Sequence, residues 1–324
     1  METTTLSGIR DQLLDRRRQL ETAAATRGGS GEVTRLLHEV DAALERMNAG
    51  VFGLCGTCHE AIEPDRLRAD PLTQFCLDHL TALEQRALQH DLDLAARIQR
   101  ELLPNPDVRF DGWDVAYHYR PAGPVSGDYC DLIPGNADQV YFLIGDVAGK
   151  GVAAAMLMSH LSAMLRTLVT IGLPLTHMME RASRVFCEST LPAQYATLVC
   201  GRASPSGEIE ICNAGHPPPL LLHAGDVVRL DATGLPIGLF CSERFSSRIV
   251  RLVPGDTLLL YTDGLLEAQN ASGVEYGIER LAALAASAKR QPAALVDACV
   301  CDLAAFRGAR GADDDLTILA VSRL

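Results

Sequence analysis

Apolar positions follow helical spacing in the first third of this 324-residue chain and strand spacing after it. Val33, Leu36, Leu37, Val40, Ala43, Leu44 and Met47 recur every three or four residues, which predicts an amphipathic helix. Asn48-Ala49-Gly50 is its predicted stop. The charged stretch from Leu13 to Leu20, with Arg16-Arg17-Arg18, predicts a solvated helix before it. The break at Gly28-Gly29-Ser30-Gly31 predicts that the two form an antiparallel hairpin, suited to packing or dimerisation. Leu88, Leu92, Ala95, Gln99 and Leu102 step by fours and threes, which predicts a helix ending before Pro104-Asn105-Pro106. Its heptad-like seam fits a signalling or dimerising linker, or equally a rigid spacer.

Beyond residue 105, short apolar runs end in acidic turns. Residues 140–144 are wholly apolar and lead into Gly145-Asp146-Val147-Ala148-Gly149-Lys150-Gly151, after which residues 152–158 are apolar again. This reads as strand, glycine turn and helix, with Met156, Leu157, Leu161 and Leu165 available for packing. A strand over residues 113–119 precedes Ser126-Gly127-Asp128-Tyr129-Cys130-Asp131. Residues 256–261 run into Thr262-Asp263-Gly264, and Asp313-Asp314-Asp315 leads into a strand over 318–321. Carboxylates at strand ends suit hard cations such as Mg²⁺ or Mn²⁺. Clustered carboxylates repel one another, and divalent cations relieve that repulsion.

Charge narrows the function classes. The net charge is −12, with 29 basic and 41 acidic residues, which argues against non-specific nucleic-acid binding. No uninterrupted apolar run approaches bilayer length, and residues 1–5 lack the basic start of a signal peptide, so a cytoplasmic, membrane-free protein is expected. Of ten cysteines, those outside residues 55–76 read as free core thiols, Cys212 among them. None is followed by the glycine-rich, arginine-ended cradle of a cysteine phosphatase. Cys55, Cys58, Cys76 and His79 form a C-x2-C, spacer, C-x2-H pattern that predicts one tetrahedral Zn²⁺. A Cys55/Cys58 redox pair is the alternative, and His59 is a competing ligand. The spacer is poor in apolar residues, so metal binding would supply folding free energy.

Two resemblances add to this reading. Residues 33–85, with Gly53-Leu54-Cys55-Gly56-Thr57-Cys58 and Arg66-Leu67-Arg68-Ala69-Asp70-Pro71, resemble the DksA/TraR zinc-finger family. That family has cysteine where this chain has His79, which is also a zinc ligand. Its members contact RNA polymerase through acidic residues at a coiled-coil tip, but the tip-like residues 27–32 here lack an acidic pair. Residues 90–324 resemble PPM-class metal-dependent protein phosphatases of the SpoIIE/RsbU-like branch. The matching pieces are the Asp128, Asp146 and Asp263 turns, Asn213-Ala214-Gly215-His216-Pro217-Pro218, Gly234-Leu235-Pro236-Ile237-Gly238 and Asp314-Asp315-Leu316-Thr317.

The second resemblance implies an α+β fold: a sandwich of two antiparallel sheets flanked by helices, here preceded by a helical zinc-finger module. The expected domains are 1–85 for the hairpin and finger, 86–104 for the linker and 105–324 for the phosphatase. Asp128, Asp146, Asp263 and Asp314 are the implied catalytic and metal residues, with the Val147 carbonyl as a further ligand to two Mn²⁺ or Mg²⁺ ions. Asp131, Lys150, Asn213, His216 and Asp315 are assigned to a second shell or the substrate edge. The implied reaction is hydrolysis of phosphoserine or phosphothreonine on a regulatory protein such as an anti-sigma-factor antagonist. A homodimer is compatible with the linker. A silent phosphoprotein-binding module and a zinc-finger regulator acting on RNA polymerase are the alternatives.

Overall fold

A computed structural model describes residues 3–27, 31–80, 82–105, 110–288 and 291–324. The chain divides into two compact units, Met1–Asp91 and Leu92–Leu324.

In the first unit, α1 (Thr3–Arg27) and α2 (Gly31–Asn48) pair. Arg10 donates to Asn48 at 3.0 Å and Arg17 meets Asp41 at 2.9 Å, so the helices run antiparallel as their sequence predicts. The apolar stripe of α2 supplies Val40, Ala43 and Leu44 to a small core completed by Ile9 and Leu13. The predicted glycine break at Gly28, Gly29 and Ser30, and with it most of the tip-like segment, lies outside the described residues. A tight hairpin follows, closed by the Cys55 amide on the Glu60 carbonyl at 2.8 Å. Then come α3 (Pro64–Ala69) and a single 3-10 turn, Leu77–His79. Cys55, Ile62, Leu67 and Cys76 are the only buried residues of this segment's cluster, a core too small to stand alone. Helix α4 spans Ala82–Glu101.

The second unit is a two-sheet sandwich. One sheet has the order β1-β10-β9-β6-β7 and the other β2-β3-β4-β5-β8. Here β1 is Trp113–Arg120, β2 Asp128–Pro134, β3 Val140–Val147, β4 Ala196–Ala203 and β5 Glu208–Ala214. The rest are β6 Leu220–His223, β7 Asp226–Arg229, β8 Arg248–Arg251, β9 Thr257–Tyr261 and β10 Leu316–Arg323. Every strand pairing is antiparallel.

Alternation along each strand sorts side chains between two environments. Phe142 and Ile144 of β3 join Leu258 and Leu260 of β9 and Leu319 and Val321 of β10 between the sheets. Tyr141, Leu143 and Val147 point the other way, toward α5 (Gly151–Ile171) and α6 (Leu175–Ser189). Leu259, Tyr261 and Ile318 face α8 (Ile278–Ser287) and α9 (Pro292–Arg307). Helix α7 (Asp263–Leu266) is a single turn after β9. Burying side chains such as Met158, Leu161 and Leu165 of α5 stabilises each outer layer by about 1.5–3 kcal/mol per residue.

Two expectations are corrected. Helix α5, at 21 residues, is long and apolar enough to cross a bilayer by length and composition alone. Its buried face packs on the β2-β3-β4 sheet, and its Arg166 is anchored to Asp131 of β2. The second correction concerns the thiols. Cys187 near the end of α6 and Cys241 in the loop before β8 form a disulfide, with Cα atoms 5.3 Å apart. The pair is 54 residues apart in sequence and meets only because that loop folds back on α6. Cys130, Cys200, Cys212 and Cys299 are free and buried, as expected of core thiols, whereas Cys301 is free but exposed and so is no core thiol.

Candidate functional site

The four predicted turns meet at one end of the sandwich. Asp128 opens β2 and stands opposite Asp146 near the end of β3. Both share parity with the inward residues Cys130 and Ile144, so both carboxylates lie on the face between the sheets. On the other sheet, the ends of β9 and β10 are tied by the Thr262 amide on the Thr317 carbonyl at 3.0 Å, which sets Asp263 beside Asp314. Gly264 permits the approach: a Cβ there would lie 1.9 Å from the Asp315 carbonyl oxygen. Gly127 does the same within the other sheet, between β2 and β3, where a Cβ would lie 3.0 Å from the Val147 carbonyl and 3.3 Å from Asp146 Oδ1.

Electrostatics mark the group. Burial, then the neighbouring charges of Asp263, Asp314 and Asp315, push Asp146 up to about 7, against the pull of Lys150. Burial and then Asp314 raise Asp263. Asp128 is raised well above the carboxylate range by burial and then by Asp146, although hydroxyl donors oppose this. Those donors are Thr317 Oγ1 at 2.5 Å and Thr262 Oγ1 at 3.0 Å, both onto Oδ2. Lys150 donates to Asp314 Oδ2 at 2.8 Å and to the Asp313 carbonyl at 3.1 Å. A cleft of about 310 Å³ opens here, lined by Lys150, Gly264, Glu267, Arg307, Arg310 and Asp314 among others. A set of carboxylate oxygens brought together in a partly buried place, with Asp128, Asp146 and Asp263 raised by burial and then by like charges, fits hard divalent cations.

The remaining predicted residues divide. Asp315 accepts from the amides of Ala122 at 2.7 Å and Gly127 at 3.0 Å, and so fastens the β1–β2 loop to the start of β10. Asp131 is corrected: it is not beside the cluster. Three residues from Asp128 is an odd step on a strand, so its side chain points to the opposite, helix-covered face. There it is fully buried and receives Arg166 Nε at 2.7 Å, Arg166 Nη2 at 2.8 Å and the Tyr129 hydroxyl at 2.8 Å. His216 and Asn213 are buried as well, which removes them from a substrate edge. Asn213 brackets the His216 backbone, accepting at 2.8 Å and donating at 3.1 Å. His216 Nδ1 lies 2.8 Å from Thr197 Oγ1, and Thr197 is the β4 partner of Asp146. Burial lowers His216 to about 3, so the ring is neutral near pH 7 and is no general acid there.

Sequence reasoning missed Gln99, Glu267, Thr262 and Thr317. Gln99 Nε2 donates to the Ser126 carbonyl at 2.6 Å, and its Oε1 accepts from the Ser126 amide at 2.9 Å. Thr262 and Thr317 were visible only as neighbours of aspartates. Glu267 sits one helical turn past Asp263 in sequence, a spacing that could have flagged it.

The first unit holds a second, more compact cluster. The ligand atoms of Cys55, Cys58, Cys76 and His79 all lie within 4.8 Å of one another, so the four could hold a metal ion. Cys76 Sγ is 3.8 Å from Cys58 Sγ and 3.2 Å from His79 Nδ1. Burial works to raise the Cys55 thiol, but the backbone amides of Cys58, Cys76 and Thr57 outweigh it and lower it, while burial and the neighbouring Cys55 and Cys58 sulfurs raise Cys76. Amides aimed at a sulfur favour the thiolate that a soft metal needs. His59 is not in the group; it occupies the left-handed turn of the hairpin, at φ 58°.

Known proteins share this fold. A family model described as Stage II sporulation protein E (SpoIIE) matches residues 136–324. Phosphoserine phosphatase RsbU of Bacillus subtilis is 24% identical over 192 residues, which cover 58% of this chain and 57% of RsbU. The chain spans about half the length of the curated relatives it matches. The solved RsbU and RsbW domains of Rv1364c from Mycobacterium tuberculosis are 32% identical with a TM-score of 0.57, covering 66% of this chain and 60% of that one. The SiaA-PP2C domain of Pseudomonas aeruginosa is alike in fold, with a TM-score of 0.65 at 22% identity over 75% of this chain and 99% of its own. With more than half of its length matched, and with the two-sheet architecture those domains share, this chain belongs to the SpoIIE family of PP2C-type phosphatase domains.

Proposed function

We propose that the chain is a metal-dependent phosphatase that removes phosphate from serine or threonine of a regulatory protein. The observation that carries this is the convergence of Asp128, Asp146, Asp263 and Asp314 from four strand ends, with Asp146 raised to about 7 by burial and then by its neighbours. Asp146 would hold two Mn²⁺ or Mg²⁺ ions together, aided by the Val147 carbonyl, with Asp263 and Asp314 completing the set. When bound, such ions lower the pKa of a coordinated water and offset charge on the phosphoryl oxygens. Asp128, fixed by Thr262 and Thr317, would bring a further carboxylate ligand from the β2 side. Lys150 would guard Asp314 and yield it to a cation. The name of RsbU, a phosphoserine phosphatase, supports the substrate class. An anti-sigma-factor antagonist is the proposed partner, and the cytoplasm the proposed setting.

The Cys55, Cys58, Cys76 and His79 group is proposed to bind one Zn²⁺ that folds residues 50–80. On this reading, residues 1–85 form a regulatory module, 86–104 a linker and 105–324 the enzyme. Turnover of a phosphoserine peptide with Mn²⁺ is the test. The native chain should hydrolyse it, and Asp146→Asn should lose about a hundredfold or more. Near-native turnover by Asp146→Asn would sink the proposal.

A further inference from the structure

Beside the carboxylate cleft lies a second groove of about 340 Å³. Its lining includes Arg120, Leu303, Arg307, Gly308, Arg310 and Gly311, and no acidic residue. Arg307 and Arg310 line both cavities, so the two adjoin. Three arginines without a lining carboxylate run against a chain whose net charge is −12.

Each arginine has donors to spare. Arg120 ends β1, is exposed, and its side chain makes no hydrogen bond or ion pair among the described residues. Arg307, at the end of α9, is only 6% exposed. Its Nη2 donates to the Gly264 carbonyl at 3.2 Å, while its buried Nη1 has no partner among the described residues. Arg310 reaches Asp313 at 3.1 Å and the Asn270 carbonyl at 3.4 Å, leaving the rest of its fork open. Burial lowers the Arg307 pKa, and the nearby Arg120 charge lowers it further, against Asp313. A buried guanidinium with an unpaired nitrogen, facing a like charge, is costly to keep. An anion seated among the three would satisfy the donors and offset the repulsion. Arginine forks match carboxylates in paired hydrogen bonds. The lining holds no aromatic ring on which a nucleic-acid base could stack.

We propose that Arg120, Arg307 and Arg310 form a recognition groove for acidic side chains flanking the phosphoserine of the protein substrate. This rests on the phosphatase reading for its choice of occupant. The phosphate would enter the carboxylate cleft while its acidic neighbours lie across Arg307 and Arg310 toward Arg120.

The test is fluorescence anisotropy on the full chain with Mg²⁺. The probe is a labelled peptide carrying a non-hydrolysable phosphonate in place of phosphoserine, flanked by aspartates in one version and asparagines in the other. The aspartate peptide should bind about tenfold more tightly, and the exposed-site variant Arg120→Gln should remove most of that preference. Equal affinity for the two peptides, or an undiminished preference in Arg120→Gln, would overturn the groove. Turnover of p-nitrophenyl phosphate by the native chain is read separately. Its absence would sink the phosphatase reading, while the binding comparison would still decide the groove.

Discussion

Asp128 and Asp131 look alike in the sequence, two aspartates three positions apart, yet they live on opposite faces of one strand. The first stands across from Asp146, and the second is sealed against α5 by Arg166 and Tyr129. Asp131→Asn should therefore cost stability without touching the carboxylate cluster. Losing charge-assisted bonds of this kind costs about 1.5–3 kcal/mol. A lower melting temperature with an unchanged Mn²⁺ dependence of turnover is the expected result; a weakened Mn²⁺ response would place Asp131 in the metal site after all. Gly264→Ala should disturb the cluster as well as the fold, because the added carbon meets the Asp315 backbone rather than a movable side chain. Turnover should fall sharply, with about 1–3 kcal/mol of overpacking cost in thermal unfolding. The acidic turns were legible because glycine and aspartate interrupt apolar runs. The opposite faces of Asp128 and Asp131 follow from strand parity, but grouping the two by spacing alone puts Asp131 near the site. Asp263 and Asp314 lie off the strands, where parity says nothing. The hydroxyls that cradle Asp128 were not legible, since Thr262 and Thr317 come from two strands whose pairing a single sequence does not reveal.

At the scale of elements, α4 shows what spacing can and cannot say. Its four-three steps place Leu92, Ala95, Gln99 and Leu102 on the less exposed side, but Leu88, the first residue of the predicted seam, is exposed, as are Leu94 and Ile98. By spacing alone, Gln99 is one more position of that seam. The fold makes it the anchor, a two-bond clamp on Ser126, whose hydroxyl in turn accepts the Asp128 amide at 3.0 Å. A contact across 27 residues leaves no periodic trace. Gln99→Leu keeps the volume but strands a buried amide and carbonyl, at about 1–3 kcal/mol each. Turnover should drop along with stability, and unchanged turnover would show that the clamp does not position the β2 loop. The disulfide between α6 and the loop before β8 was equally hidden, because neither cysteine sits in a recognisable spacing. The compact Cys/His cluster was readable in full, since its ligands lie in two short pairs whose spacing the metal itself would demand.

Across the whole molecule, the carboxylate cluster couples protons, cations and stability. Without cations, Asp146 titrates at about 7 in the folded chain, against an ordinary 3.8. The folded state thus holds a proton that the unfolded state has lost, and stability from this group falls as pH rises from about 4 to about 7. Other groups obscure this in a simple melting curve. His118 and His216 are lowered by burial, so their contribution is lost as pH falls below about 6.5 and opposes the aspartate in that window. The difference between melts with and without Mn²⁺ cancels groups that the ion does not touch. A cation must displace the Asp146 proton below pH 7 and meets a free carboxylate above it. Saturating Mn²⁺ at a hundred times its dissociation constant stabilises by about 2.7 kcal/mol, or about 5–10 °C for a unit of this size. That full increment should appear at pH 8 and shrink toward pH 6 at the same Mn²⁺ concentration. Asp146→Asn should abolish both the increment and its pH dependence. A Mn²⁺ increment that is equal at pH 6 and pH 8 would mean that Asp146 does not exchange its proton for the ion.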